Sequence, residues 1–235
     1  MNIGSFGGSW SEFPDMQDIA SFHRWVHPVN RAERYLVLPD GCRDVLCIRH
    51  ADGLVQIVST GFDVRPRLVD LLPGTTITGY RLRPGAGVSA PAMQAIAADH
   101  DRIGEILDEQ CEAWTHLDEA ILALSFPGAT VGAARRSIGI SIRTMQRVFL
   151  GRRLPPPNYW RLLGRARRAT GLLSSGEPLA EIASICGFSD QAHMTRELVR
   201  WFGHSPAQLR RQADVLERLR QPGLGNWAGE QISTR

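Results

Sequence analysis

One short pattern occurs twice in the second half of the chain, and it limits the fold more than any other feature. Gly139-Ile140-Ser141 returns 48 residues later as Gly187-Phe188-Ser189. Each copy leads into a segment carrying an arginine, Arg147 or Arg196, then an apolar stretch, then a proline; Pro157 and Pro206 lie 49 residues apart. A repeat of this length holds two or three helices. Two copies are too few for a stacked solenoid, which needs at least three, so the segment is expected to be a duplicated supersecondary unit.

The second copy reads as helix, turn, helix. Pro178 can open a helix, where its missing N–H is harmless, and Leu179, Ile182, Ala183 and Ile185 supply an apolar stripe. Gly187 suits the left-handed turn that ends such a helix, and Ser189 is a sound N-cap for the next. That next helix has Met194, Leu198, Trp201 and Phe202 to pack inward and leaves Gln191, His193 and Arg196 outward. In the first copy Ser141 caps, Met145, Val148 and Phe149 pack, and Arg143, Gln146 and Arg147 face out. Arginine matches the O6/N7 edge of guanine and glutamine the N6/N7 edge of adenine, so these six are the candidate DNA-binding residues.

Charge supports that reading. Residues 1–127 contain 10 Arg against 17 Asp and Glu, a net −7, whereas residues 128–218 contain 15 Arg against 6 acids, a net +9. All 27 basic residues are arginine, whose planar fork matches phosphates and base edges bidentately. A basic half beside an acidic half predicts a polyanion-binding module joined to a different one.

The first hundred residues read as short strands near Phe22–Val26, Tyr35–Leu38, Val45–Arg49, Val55–Ser59, Leu68–Leu71 and Thr76–Leu82. Turn signals such as Pro39-Asp40-Gly41 and Pro73-Gly74 divide them. Their spacing predicts a small barrel or sandwich. From Pro91 onward apolar residues recur at helical intervals (Ile103, Ile106 and Leu107, then Trp114, Leu117, Ile121, Leu122 and Leu124) until Phe126-Pro127-Gly128. The expected organisation is therefore an α+β two-domain chain. Residues 1–127 form a β-rich domain with following helices, residues 128–218 an all-α tandem helix-turn-helix domain, and residues 219–235 a disordered tail. Between the two copies a helix from Pro157 to about Leu173 is expected to connect them, with the run Pro155-Pro156-Pro157 distorting its entry.

At this level of detail the segment from about 130 to 212 resembles the tandem helix-turn-helix domain of AraC-type regulators. The likeness is carried by Ile182-Ala183, Gly187-Phe188-Ser189-Asp190-Gln191 and Arg196, then by Trp201-Phe202-Gly203-His204-Ser205-Pro206, and by Trp160, Arg165 and Leu172-Leu173 in the connector. One departure stands out: Arg135 occupies the place where the family packs a buried alanine, so it must rotate away or snorkel to solvent. Leu38-Pro39-Asp40-Gly41-Cys42-Arg43-Asp44 and Gly79-Tyr80-Arg81-Leu82-Arg83-Pro84-Gly85 are similar to the β-rich domain of many AraC-type proteins. The resemblance implies a non-enzymatic, cytoplasmic transcription regulator of bacterial type. Its expected partners are double-stranded DNA, a small-molecule effector and RNA polymerase, as a monomer or homodimer and without a membrane.

Cys42, Asp44 and Arg81 are the candidate ligand-binding residues of the first half. A second reading makes Cys42 the reactive thiol of a redox or alkylation sensor, since Arg43 beside it would lower its pKa. Cys42, Cys47 and His50 lack the paired-cysteine spacing of a structural zinc site. No metal and no cofactor are expected, and no catalytic triad, phosphate loop or carboxylate pair is apparent.

Overall fold

The computed structural model describes residues 20–110 and 115–227. Six strands open the chain: β1 (Phe22–Val29), β2 (Glu33–Val37), β3 (Asp44–Arg49), β4 (Val55–Ser59), β5 (Arg67–Leu71) and β6 (Thr75–Leu82). These are the six segments that the alternation and turn signals predict. They pair entirely antiparallel, as a four-stranded sheet in the order β1-β6-β3-β4 and a separate ribbon of β2 with β5. Inward-facing Val45, Cys47, Tyr80 and Leu82 meet Ile96 of α1 (Ala90–Ala98) and Ile103, Ile106 and Leu107 of α2 (Ile103–Glu109). This is the first of two cores, built on one face of the sheet by the period-two pattern of its strands.

The second core belongs to the helices that follow: α3 (His116–Ser125), α4 (Val131–Ser137), α5 (Ile142–Gly151), α6 (Pro157–Leu172), α7 (Leu179–Ile185), α8 (Gln191–Phe202), α9 (Pro206–Arg211) and α10 (Ala213–Arg220). α6 is its axis, with Trp160, Leu163, Ala166 and Ala169 completely buried. A β-carbon at Gly164 would lie 2.9 Å from the Cα of Ser125, so only glycine lets α3 and α6 approach this closely. The α3 residues Ala120, Ile121 and Leu124 are thus part of the helical core, and that core extends across residue 127. No helix among the described residues is long and apolar enough to cross a membrane.

Several expectations change. The three prolines do not distort the connector; Pro156 is the extended N-cap and Pro157 opens the helix, where proline fits. Residues 219–227, expected to begin a disordered tail, are packed. Leu219 and Leu224 are buried, the Leu224 N–H donates to the Asp40 carbonyl at 2.7 Å, and the Trp227 indole donates to the Ala20 carbonyl at 3.0 Å. The tail is held because Arg167, inside the helical core, donates to the carbonyls of Leu224 and Gln221 and to Asn226 Oδ1. Residues 228–235, and Trp114 in the helical periodicity of the first half, lie outside the described residues.

Candidate nucleic-acid interface

α4 with α5, and α7 with α8, build two helix–turn–helix units whose turns are closed by the same hydrogen bonds. In the first, the Ile140 N–H donates to the Arg135 carbonyl and Gly139 to Arg136; in the second, Phe188 donates to Ala183 and Gly187 to Ser184. Gly139 and Gly187 sit at φ 69° and 73°, the left-handed conformation such a helix end requires. The echo in the sequence is therefore an echo of backbone geometry.

Each second helix buries one face and exposes the other. Met145 and Phe149 of α5 are buried, as are Met194, Leu198, Trp201 and Phe202 of α8. Arg143, Gln146 and Arg147 are exposed on α5, and Gln191 and Arg196 on α8, while His193 is half-buried. The two units bring these residues to the N-terminal parts of their second helices, three on each. His193 is held by its neighbours: Nδ1 lies 3.0 Å from Ser189 Oγ, and its ring meets Phe188 edge-on. A backbone donor, the Ser189 N–H, also points at Nδ1, at 3.4 Å. If that nitrogen accepts, the proton sits on the outward Nε2 as a donor.

Some packing assignments are corrected. Val148 is 38% exposed and Ile185 52% exposed, because Phe149 and Cys186 take the inward positions one residue further on. The cap of α8 is Asp190 rather than Ser189; its carboxylate accepts from the His193 N–H at 2.6 Å. That hydrogen bond holds the Asp190 carboxyl below its ordinary pKa. Ser141 caps α5 as expected, accepting from the Thr144 N–H.

Around the connector the arginines divide into two groups. Arg161 is anchored to Asn158, and Arg165 donates to the Gly187 carbonyl while lying 4.4 Å over the Phe188 ring. Arg168 donates to the Ser125 carbonyl. Arg167 faces inward, and its burial lowers its pKa. Only part of the basic charge of this half therefore faces out. Arg135, in the first unit, is half-buried beside the fully buried Ala134, and its Nε is buried without a hydrogen-bond partner.

Residues 135–212, about a third of the chain, match the sequence model of a helix-turn-helix domain family. This segment is a helix-turn-helix domain. The matched helix-turn-helix segment contains the whole of α5 to α9 and all six candidate DNA-contacting residues. Among curated proteins none matches the chain. Its fold is similar to that of ToxT from Vibrio cholerae. One ToxT structure shares 10% identity with a TM-score of 0.46, covering 83% of this chain and 98% of that one. Another, bound to (E)-4-(8-methylnaphthalen-1-yl)but-3-enoic acid, shares 10% identity with a TM-score of 0.43, covering 84% and 100%.

The candidate ligand residues of the β-rich half are brought together, but chiefly with one another. Arg81 lies 3.2 Å from Asp40 Oδ2 and 3.4 Å from Asp44 Oδ1, and Asp44 also accepts from the Trp25 indole at 3.1 Å. Burial lifts the Asp44 carboxyl, partly offset by Arg81. For Arg81, burial works downward, but Asp40 and Asp44 outweigh it and raise its pKa. The cluster also donates to the C-terminal hook, through Arg81 to the Pro222 carbonyl. Asp40 belongs to the same cluster. Its carboxylate accepts from the Cys42 N–H, which makes Pro39-Asp40-Gly41 a side-chain-closed turn.

The reactive-thiol expectation is overturned here. Cys42 is 4% exposed, and burial, with Asp40 next, pushes its thiol well above the ordinary range. Arg43, whose charge was to activate it, points away to the carbonyls of Ala86 and Arg153. A buried neutral thiol is a poor nucleophile.

Proposed function

We propose that this protein is a sequence-specific transcription regulator that reads two successive segments of duplex DNA and responds to a small molecule through its β-rich half. The observation that carries the reading is the pair of units with matched turn geometry, each presenting arginine and glutamine on an exposed helix N-terminal face. Arg143, Gln146 and Arg147 contact one segment, and Gln191, His193 and Arg196 the other. Residues 1–127 serve as the sensing half and 128–218 as the reading half. The protein works in the cytoplasm without catalysis, and RNA polymerase is its further partner. We read Asp44 and Arg81 as part of the joint between the halves rather than as ligand contacts.

α6 has 16 residues and so spans about 24 Å at 1.5 Å per residue. Successive major-groove faces on one side of straight DNA are about 34 Å apart. If both units engage, the DNA bends toward the protein, and flexible pyrimidine–purine steps between the two segments lower the energy of doing so.

Selection of bound duplexes from a random pool by the full chain tests the function. The expected result is one asymmetric motif, with affinity that falls as salt rises. Recovery of salt-sensitive binding without any motif would overturn it and leave the helices as a general basic surface.

A further inference from the structure

Several groups around the second turn converge on one imidazole. His193 is the third residue of α8, and its Nδ1 lies 3.0 Å from Ser189 Oγ and 3.4 Å from the Ser189 backbone nitrogen. A backbone N–H only donates, so it calls for an acceptor at Nδ1. The Ser189 hydroxyl has one proton and two acceptors in reach, Nδ1 at 3.0 Å and Asp190 Oδ2 at 3.4 Å. The shorter approach takes the proton, and both donors of Ser189 then meet the same nitrogen. A neutral imidazole that accepts at Nδ1 carries its proton at Nε2.

The ring is held at a second point. Phe188 meets it edge-on, with centroids 5.4 Å apart. Phe188 is buried and is covered in turn by Arg165 of α6, whose guanidinium lies 4.4 Å over the ring and donates to the Gly187 carbonyl at 3.1 Å. The orientation of His193 is therefore set by the turn and the connector, and not by α8 alone. The helix end offers no backbone donor at this residue, because the His193 N–H is taken by the Asp190 carboxylate. What residue 193 presents is the Nε2 edge of a half-buried ring, beside the exposed Gln191 and Arg196. A ring held at two points loses its freedom on folding rather than on binding, which favours the bound state. The first unit is built differently: one residue before Met145 it holds Thr144, whose hydroxyl lies 2.9 Å from that of its cap, Ser141.

We propose that Ser189 is a positioning residue of the second unit. It fixes His193 as the tautomer with its proton on Nε2, so that His193 meets DNA purely as a donor, toward a bare acceptor. The acceptors that duplex DNA presents are its phosphate oxygens and, in the major groove, guanine N7 and O6, adenine N7 and thymine O4. Cytosine, which offers an N4 amino donor there, is refused. This rests on the regulator reading above and adds to it the polarity of one contact and the residue that sets it.

The test uses the full chain and its selected duplex at about pH 8, above the range in which imidazoles ordinarily protonate. Two-bond proton–nitrogen correlation spectra distinguish the tautomers, and His193 is expected to carry its proton on Nε2. Ser189→Ala should mix in the other tautomer and weaken DNA binding severalfold, and Ser189→Thr, which keeps the hydroxyl, should restore both. His193→Asn, whose amide falls near Nδ1, should lose about tenfold in affinity, the size of one hydrogen bond. His193→Gln, whose amide reaches the Nε2 position, should lose less. A neutral donor releases no counterion, so His193→Asn should keep the salt dependence of the wild type, and a slope lowered by about one would overturn the neutral contact. Repeating the selection with His193→Asn identifies the acceptor: a loss uniform across sequences marks phosphate, and relaxation at one position marks a base edge. A proton on Nδ1 in the wild type, or Ser189→Ala with tautomer and affinity unchanged, sinks this proposal alone. Failure of the wild type to select any motif sinks the regulator reading, and the contact falls with it.

Discussion

The two reading units share a backbone and differ in what surrounds it. In the second, Ile182 and Ala183 are both buried at the junction of α7 with its neighbours, Asp190 caps α8, and Gly203 ends it. In the first, the place of Ala183 is taken by Arg135 with an unpartnered buried Nε, and the left-handed turn that Gly203 makes falls one residue earlier in register, at Arg153. A buried Nε without a hydrogen-bond partner occurs beside the second unit too, on Arg165 over the Phe188 ring, but there it belongs to the connector and not to the unit's own first helix. The first unit carries the defect within itself and gains contact with the β-rich half through Arg43 and Arg153. Under the proposed function this difference amounts to a division of labour, with one copy kept for base recognition and the other tied to the β-rich half.

The inward faces should not differ, and the largest predicted effect tests that. Met145 and Met194 are both fully buried at matching points of α5 and α8. Truncating either to alanine is expected to destabilise the fold by about 2–5 kcal/mol, the usual range for a buried methionine. Chemical denaturation of the two variants would break the comparison if one lost several times more than the other. The outward faces should differ. Arg196→Ala is expected to weaken binding to the selected duplex by about 1–3 kcal/mol, the value of one good bidentate base contact. Arg147→Ala should lose less, as measured by fluorescence anisotropy at fixed salt.

A smaller effect concerns the defect itself. Arg135→Ala removes a buried donor without a partner and restores the better helix former, so the fold should gain about 1 kcal/mol. A lower melting temperature would mean that the Arg135 charge is used elsewhere. The smallest effect separates the caps. Asp190 has its pKa depressed in the folded chain, first by the His193 N–H. Its contribution is therefore complete above the unfolded value of about 3.9 and is lost as pH falls through the lower folded value. Ser141 does not titrate. Amide exchange at acid pH should show α8 fraying at its N-terminus before α5 does.

Much of this was legible in the sequence because it is periodic or local. The six strands, the left-handed glycines at 139 and 187, and the exposed arginines and glutamines of both units follow from alternation, turn chemistry and helical spacing. The cap shifted from Ser189 to Asp190 because both are good caps and a single added residue decides between them. An apolar residue at helical spacing reads as core, which puts Val148 and Ile185 inward, whereas in the fold both are partly exposed beside the buried Phe149 and Cys186. The contact between the halves was not legible. Arg43 and Arg153 are 110 residues apart, and nothing local pairs them. The glycine nearest the three prolines, Gly151, falls inside the helix, so the left-handed turn comes two residues later, at Arg153. The packed hook at 221–227 was hidden because glycine-rich ends usually are unstructured, and it is the buried Arg167 that holds this one in place.

Hydroxyl-radical footprinting of the full chain on its selected duplex tests the central claim most directly. The account predicts two protected patches on one face of the DNA, about one turn apart, the deeper one lost selectively in Arg196→Ala and the shallower one in Arg147→Ala. A single patch, or two of equal depth that fade together in either variant, would contradict a molecule whose two units read DNA unequally.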